Sequence, residues 1–363
     1  MYVDKLALRN YRNYEKAEIE FSHGINILYG DNAQGKTNIL EALYLVATTK
    51  SHRGAKDKEI IRFDEEEAHI KLNIEKKEVD RRIDMHLRRN GNKGAAIDGL
   101  PIRRVAELFG MVNIIFFSPE DLSIIKDGPN ERRKFMDTSL CQLSKIYYSN
   151  LGTYNKIINQ RNNLLRSISF DNKLIDTLDV WDDQLVSCGV KIVKERRNFI
   201  QMMNEIIKDI HLSLTSGKEE IELRYEASVL EYEYDKDLKK KRDMDLKYMS
   251  TQIGPHRDDI GIFINGKDVR LYGSQGQQRT AALSLKLSEI ELTKKIIDDN
   301  PILLLDDVMS ELDSKRRDAL LNKVKDIQCI ITCTGYDDFI KERINIDKII
   351  NVTNGTVTVE NRR

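Results

Sequence analysis

A chain of 363 residues, 40% hydrophobic and 33% charged, can bury more than one core without disulfide or metal staples. Lys+Arg number 59 and Asp+Glu 59, which excludes a uniformly basic nucleic-acid coat but leaves room for a local basic face. Apolar residues recur along the chain and exclude disorder; Cys141, Cys188, Cys329 and Cys333 have neither zinc-ribbon spacing nor the density of a disulfide scaffold, and read as core thiols.

The chain opens directly on a strand pattern, with no signal peptide and no run of about 18 apolar residues to cross a membrane. The cytoplasm is therefore the expected compartment. Alternation predicts strands over 2–8 and 17–21, then a short buried strand at 26–29 ending at Gly30. A helix is expected over 38–46, and more strands from His69 to Ile97, turning at Asn90-Gly91 and at 92–94. At Ser118 the character changes: Ser118-Pro119-Glu120-Asp121 offers an N-cap, a proline at the first helical position and acids in the first turn.

Leu140, Leu143, Tyr147, Leu151, Tyr154 and Ile158 then step by threes and fours along one helical face. A second long amphipathic helix carries Trp181, Leu185, Cys188, Ile192, Phe199, Met203, Ile206 and Ile210. Two such helices predict a hairpin or small bundle. Strand character resumes at 221–225, a polar helix or loop fills 232–247, and 260–269 reads as a hairpin turning at Asn265-Gly266. The end alternates helix 277–299, strand 302–305, helix 314–325 and strand 329–332. The expected plan is an α/β fold with residues 1–118 and 216–363 forming one domain, interrupted by a helical arm at 119–215.

Three motifs carry chemistry. Gly30-Asp31-Asn32-Ala33-Gln34-Gly35-Lys36-Thr37 matches the phosphate-loop pattern G-x-x-x-x-G-K-[ST] between a strand and a helix. There the backbone N–H groups and helix N-terminus hold phosphates, Lys36 adds a point charge and Thr37 reaches Mg²⁺. Ile302-Leu303-Leu304-Leu305-Asp306-Asp307 is a buried strand delivering two acids, Asp306 for the metal and Asp307 to polarise an attacking water. Alone, that acid pair reads as a helix cap; with the phosphate loop it reads as functional. Gly273-Ser274-Gln275-Gly276-Gln277-Gln278-Arg279 opens a helix and resembles the signature loop of ABC-type ATPases at Ser274, Gly276 and Gln277, Gln275 standing in place of a glycine. Ser310-Glu311-Leu312-Asp313 follows Asp307 where that family has its D-loop. Such loops serve the nucleotide of a second subunit, so the resemblance implies an ATP-dependent homodimer.

The whole chain resembles the RecF family, bacterial repair ATPases related to the SMC group. The motifs behind this also include Leu8 to Tyr14, Ser51-His52-Arg53, Phe117 to Leu122, Arg132 to Asp137 and Gly254-Pro255-His256-Arg257-Asp258-Asp259. The resemblance implies an ABC-type P-loop domain of mixed sheet and flanking helices with an inserted α-helical arm. It implies slow Mg²⁺-dependent ATP hydrolysis with Lys36 and Asp307 catalytic, Thr37 and Asp306 on the metal, Arg12 or Asn13 near the nucleotide, and Arg53 as an R-loop arginine. It also implies action on duplex DNA and single/double-strand junctions at gaps and stalled forks in recombinational repair and the SOS response, with RecO and RecR in loading RecA.

Two departures stand out. Asp307 occupies the place of the transporter ATPases' glutamate, and its shorter arm predicts slow turnover. Thr334 lies where a switch histidine is usual. No residue matches the glutamine loop; Glu120 or Asp121 either serves there or caps its helix. Between residues 81 and 104, Arg81, Arg82, Arg88, Arg89, Lys93, Arg103 and Arg104 face only Asp84 and Asp98 as acids, either a DNA-phosphate surface or a solvated charged face. The second reading, an ATP-binding subunit of a membrane transporter, is opposed by the long stretch of chain between Lys36 and Asp306. A full SMC rod is opposed by arm helices of only tens of residues.

Overall fold

The computed structural model describes residues 1–77, 79–310, 312–334 and 346–360. The chain divides into two compact units, Met1–Asp121 with Leu283–Arg363, and Leu122–Ala282.

The first unit contains two six-stranded sheets. One is antiparallel, in the order Tyr14–Glu20, Tyr2–Tyr11, Glu67–Lys76, Val79–Arg88, Gly94–Ile97, Leu100–Pro101. Its strands alternate as predicted, with Leu6, Leu8, Ile70, Leu72, Ile83 and Met85 buried and the intervening residues outward. The other runs Thr356–Glu360, Ile346–Thr353, Ile25–Tyr29, Cys329–Cys333, Ile302–Asp306, Ile114–Phe117, parallel except at the 356–360 edge. Central parallel strands are covered on both faces, which is why 302–305 and 329–331 are unbroken apolar runs. Helix Lys36–Thr48 lies in a core shared with both sheets, burying Ile39, Leu40, Leu43 and Val46 beside Leu72, Leu304 and Ile330.

The second unit is built on helices Pro129–Leu143, Lys145–Ile168 and Leu178–Leu214, with a sheet in the order Lys267–Asp268, Asp259–Ile264, Ile221–Glu226. The apolar stripe expected to form one helix is broken at Ser144. That residue leaves the helical region (φ −140°) and caps the second helix, its hydroxyl accepting the Tyr147 N–H at 3.1 Å. The polar 232–247 stretch forms two short helices, Tyr234–Lys240 and Arg242–Tyr248, and the hairpin turns on Asn265 and Gly266, both at positive φ.

The second unit also extends past the expected 119–215 arm. Strand 221–226 is fastened to the long helix by Asn204, whose amide donates to the Leu223 carbonyl at 2.7 Å and accepts its N–H at 2.8 Å. Strand periodicity predicts a buried face without saying which core that face joins. Here the strands between Ile221 and Asp268 fall in the second unit with the helices rather than with the phosphate loop, and the signature-like loop falls in this unit. All four cysteines are free thiols, Cys141 and Cys329 fully buried.

Candidate functional site

The phosphate loop links strand 25–29 to helix 36–48. Its turn needs backbone that side chains disfavour: Gly30 has φ 150° and Gly35 φ 116°. A Cβ on Gly30 would meet the Val352 carbonyl at 2.2 Å, and one on Gly35 the Tyr14 hydroxyl at 2.7 Å, so neighbouring strands press the loop into shape. No side chain caps the helix, and its first turn holds no acid, leaving the leading N–H groups and the dipole for an anion. Lys36 Nζ donates to the carbonyls of Gly30 at 2.6 Å and Asp31 at 2.8 Å, folding back over its own loop. Asp31, Asn32 and Ala33 are exposed and Gln34 is half-buried. Gln34 is tied down by the 353–356 turn, its side-chain oxygen accepting the Asn354 N–H at 2.6 Å.

Thr37 and Asp306 meet although 269 positions separate them, the hydroxyl donating to the carboxylate at 2.9 Å. Thr332, on the strand between, donates its hydroxyl to the same Asp306 oxygen at 2.8 Å and accepts the Asp307 N–H at 2.9 Å. Burial pushes the Asp306 carboxyl above its ordinary value, against the two hydroxyl donors that favour its charge. Asp307 has φ 52°, an uncommon conformation for a residue with a side chain, and the Thr332 contact holds it there. A threonine hydroxyl beside a half-buried carboxylate is an oxygen donor set suited to Mg²⁺.

Of the remaining nucleotide-side candidates, Asn13 touches the loop, donating to the Gln34 carbonyl at 2.9 Å and accepting from Asn38 at 2.9 Å. Arg12 is forked onto Glu41 at 2.8 and 2.7 Å. Burial raises the Glu41 carboxyl, but hydrogen bonds from Arg12 and Ser51 outweigh it and hold it below the usual range. Glu41 escaped the motif search; the signal for it was an acid between Leu40 and Ala42 on the buried side of a helix. Arg53 is exposed, its guanidinium 3.4 Å from Asn38 Oδ1. Asp121 acts as a cap, accepting the Ser118 N–H at 2.8 Å. Thr334 is exposed at the end of strand 329–333, and of the D-loop residues Glu311 lies outside the described residues.

In the second unit, Ser274 and Gln277 form a reciprocal cap: Ser274 N–H donates to Gln277 Oε1 at 2.9 Å, and Gln277 N–H to Ser274 Oγ at 3.2 Å. Ser274, Gln275 and Gly276 are exposed. The motifs at 132–137 and 254–259 are structural partners. Arg132 forks onto Asp259 at 2.6 and 2.9 Å, Arg133 donates to the Asp258 carbonyl at 2.6 Å, and Arg196 joins Asp137 at 2.8 Å to the Pro255 carbonyl at 2.6 Å.

The basic segment is partly neutralised. Arg81 pairs with Asp98 at 2.6 Å, Arg82 with Asp84 at 2.9 Å, and Lys93 with Asp57 at 2.9 Å. Arg89 is spent on the carbonyl of Glu65 at 2.9 Å. Arg88, Arg103 and Arg104 are exposed and carry no ion pair among the described residues.

A family model described as RecF/RecN/SMC N terminal domain matches residues 2–358. The DNA replication and repair protein RecF of Lachnoclostridium phytofermentans is 59% identical over 357 residues, 98% of this chain and 99% of that protein. A solved structure of the recombination mediator protein RecF with ATPrS in the RecFOR pathway superposes with a TM-score of 0.93 at 37% identity, covering 99% of this chain and 98% of that one. Its RecF-ATP counterpart gives 0.92 at the same identity and coverage. Matches of this length and identity set aside the transporter reading, and the chain belongs to the RecF family of DNA replication and repair proteins, within the RecF/RecN/SMC group of ATPases.

Proposed function

We propose that the protein binds ATP with Mg²⁺ at the Gly30–Thr37 loop, hydrolyses it slowly, and uses the cycle to pair two copies on DNA. The observation that carries this reading is the meeting of Thr37 with Asp306 at the uncapped N-terminus of helix 36–48. The RecF structures with ATPrS and ATP support the same ligand class for this chain. Lys36 exchanges its carbonyl partners for phosphate oxygens, and the leading N–H groups of the helix share that charge. Thr37 and Asp306 would hold the metal, which would supply charge neutralisation for the phosphates. Asp307 orients the attacking water, and its short arm makes the step slow.

Ser274 to Gln277 then serve the nucleotide of a second copy. Arg88, Arg103 and Arg104 supply phosphate contacts to duplex DNA and to single/double-strand junctions. RecO and RecR are the proposed partners in loading RecA at gaps, in the cytoplasm; no helix among the described residues is long and apolar enough to cross a membrane. Lys36→Met is expected to weaken ATP binding, whereas Asp306→Asn keeps binding and loses Mg²⁺-dependent turnover. Nucleotide binding and phosphate release, measured side by side, test this. Undiminished hydrolysis in both variants overturns the assignment.

A further inference from the structure

The outward face of the antiparallel sheet holds a side-chain cluster that the nucleotide site does not use. Glu67 and His69 are two positions apart in strand 67–76, so the alternation that buries Ala68 and Ile70 turns both outward. The register sets His69 directly opposite His86 on strand 79–88, where Met85 and Leu87 are the inward neighbours. The two imidazoles stack with centroids 4.3 Å apart and planes 14° from parallel. Both Nε2 atoms face the Glu67 carboxylate, His86 at 2.7 Å from Oε2 and His69 at 3.3 Å from Oε1. The three ligand atoms lie within 4.8 Å of one another.

A pair of ligands at i and i+2 on one strand, with a third directly across on the next, is a chelating arrangement that needs no loop movement. Tetrahedral coordination with metal–ligand bonds of about 2.0–2.1 Å places ligand atoms about 3.3 Å apart. The His69–Glu67 and His86–Glu67 separations, 3.3 and 2.7 Å, bracket that value but run to different carboxylate oxygens, so rotation of the exposed Glu67 side chain brings one oxygen onto a shared ion. Imidazole nitrogen with one carboxylate suits a borderline divalent ion rather than Mg²⁺ or Ca²⁺, which prefer oxygen alone. The rigid backbone ladder between the strands sets the imidazole spacing in advance. Arg88 stands across from Glu67 and Arg9 across from His69, so two nearby cations temper the affinity.

We infer that Glu67, His69 and His86 form a binding site for a divalent transition-metal ion of the Zn²⁺ class, with the fourth position open to solvent. The site stands apart from the ATPase reading, and its test needs no nucleotide. A bound ion would bridge strands 67–76 and 79–88 and stabilise the first unit by mass action.

Untagged full-length protein, free of nucleotide, is titrated with Co²⁺ at neutral pH and followed by its visible absorption, then back-titrated with Zn²⁺. One equivalent of Co²⁺ is expected to give a tetrahedral-type spectrum that Zn²⁺ displaces and millimolar Mg²⁺ does not. Mild acid abolishes it, because a ligating imidazole must give up its second proton. His69→Asn and His86→Asn each weaken binding at least tenfold, and Glu67→Gln weakens it too. Among the described residues one other such group occurs, Asp4, His23 and Glu75, so His23→Asn serves as the control that leaves the spectrum unchanged. An unchanged far-ultraviolet circular dichroism spectrum and thermal transition without metal verify that each variant is folded. No Co²⁺ spectrum from the wild type, a spectrum that survives the double histidine change, or one lost in His23→Asn overturns the site.

Discussion

Thr332 shows how much a single hydroxyl organises at this site. It donates to Asp306 and accepts from the Asp307 backbone, so one side chain fixes the proposed metal ligand and the proposed water-orienting acid together. Thr332→Val keeps the shape but leaves the Asp307 N–H without its acceptor and Asp306 with only one of its two hydroxyl donors, Thr37. A lost hydrogen bond to a charged group is worth about 1.5–3 kcal/mol, so turnover is expected to fall at least roughly tenfold. ATP affinity changes little, because the phosphate loop is untouched, and Thr332→Ser restores the rate. Steady-state kinetics separate kcat from KM, and an unchanged kcat in Thr332→Val would refute the positioning role. The loop and the two acids were legible because a fixed spacing encodes them. Thr332 and Glu41 were not: their importance comes from strand order and from the interior of a helix, and neither has a sequence period.

Among the elements, the turn at Pro255–Arg257 contains a half-buried base with a predictable pH signature. His256 Nε2 lies 3.0 Å from the Thr251 carbonyl, which can only accept, so Nε2 carries the hydrogen and Nδ1 accepts from Tyr154 at 2.8 Å. Burial, aided by Arg257, Arg133 and Arg196 and opposed by the Thr251 bond, pushes its pKa down to about 4 from 6.5. Between those values the unfolded chain binds a proton that the folded chain does not, so stability falls as pH drops from 6.5 towards 4. The loss amounts to about 3 kcal/mol across that window. The single tryptophan, Trp181, sits in helix 178–214 and reports unfolding of this unit by fluorescence. Urea titrations over the pH range should show the loss, with His256→Gln flattening it; equal slopes in both proteins would contradict the assignment. A second element-scale expectation concerns the basic hairpin. Arg89 caps backbone carbonyls, so reversing it would damage the strand rather than test binding. Arg88→Glu with Arg103→Glu changes only unpaired charges. Duplex affinity and its salt slope should both drop while ATP binding stays; an unchanged slope leaves the segment a solvated surface. From sequence the segment's charge was readable, but Asp57, Asp84 and Asp98 had to be placed by the fold before the free arginines could be told from the paired ones.

At the level of the whole molecule, the order of elements was legible from alternation, helical stepping and turn residues, whereas the boundary of the arm was not. Strands 221–226 and 259–264 are indistinguishable by pattern from those of the phosphate-loop domain, and only the seating of the first on helix 178–214 and its pairing with the second assign them. The same placement shapes the last prediction, ATP-dependent pairing of two copies. Ser274 to Gln277 are at the start of helix Gln275–Ile297, where the helix dipole favours an anion. ADP lacks the γ-phosphate and offers such a loop little to hold, so the protein with ADP should remain monomeric. With ATP and Mg²⁺ it should dimerise, and hydrolysis per molecule should rise with protein concentration, since the role proposed for Asp307 needs an attacking water that closure confines. A bulky replacement of Ser274 would also remove the cap shared with Gln277, confusing lost pairing with a frayed helix. Ser274→Asp avoids this: aspartate is as good an N-cap as serine, yet it sets a negative charge against the incoming phosphate. This variant should bind ATP normally, stay monomeric with ATP and Mg²⁺, and lose the concentration dependence of its hydrolysis. Sedimentation of wild type and variant with each nucleotide gives the answer. A wild type that stays monomeric with ATP, or a Ser274→Asp protein that pairs as the wild type does, removes the loop from the dimer interface.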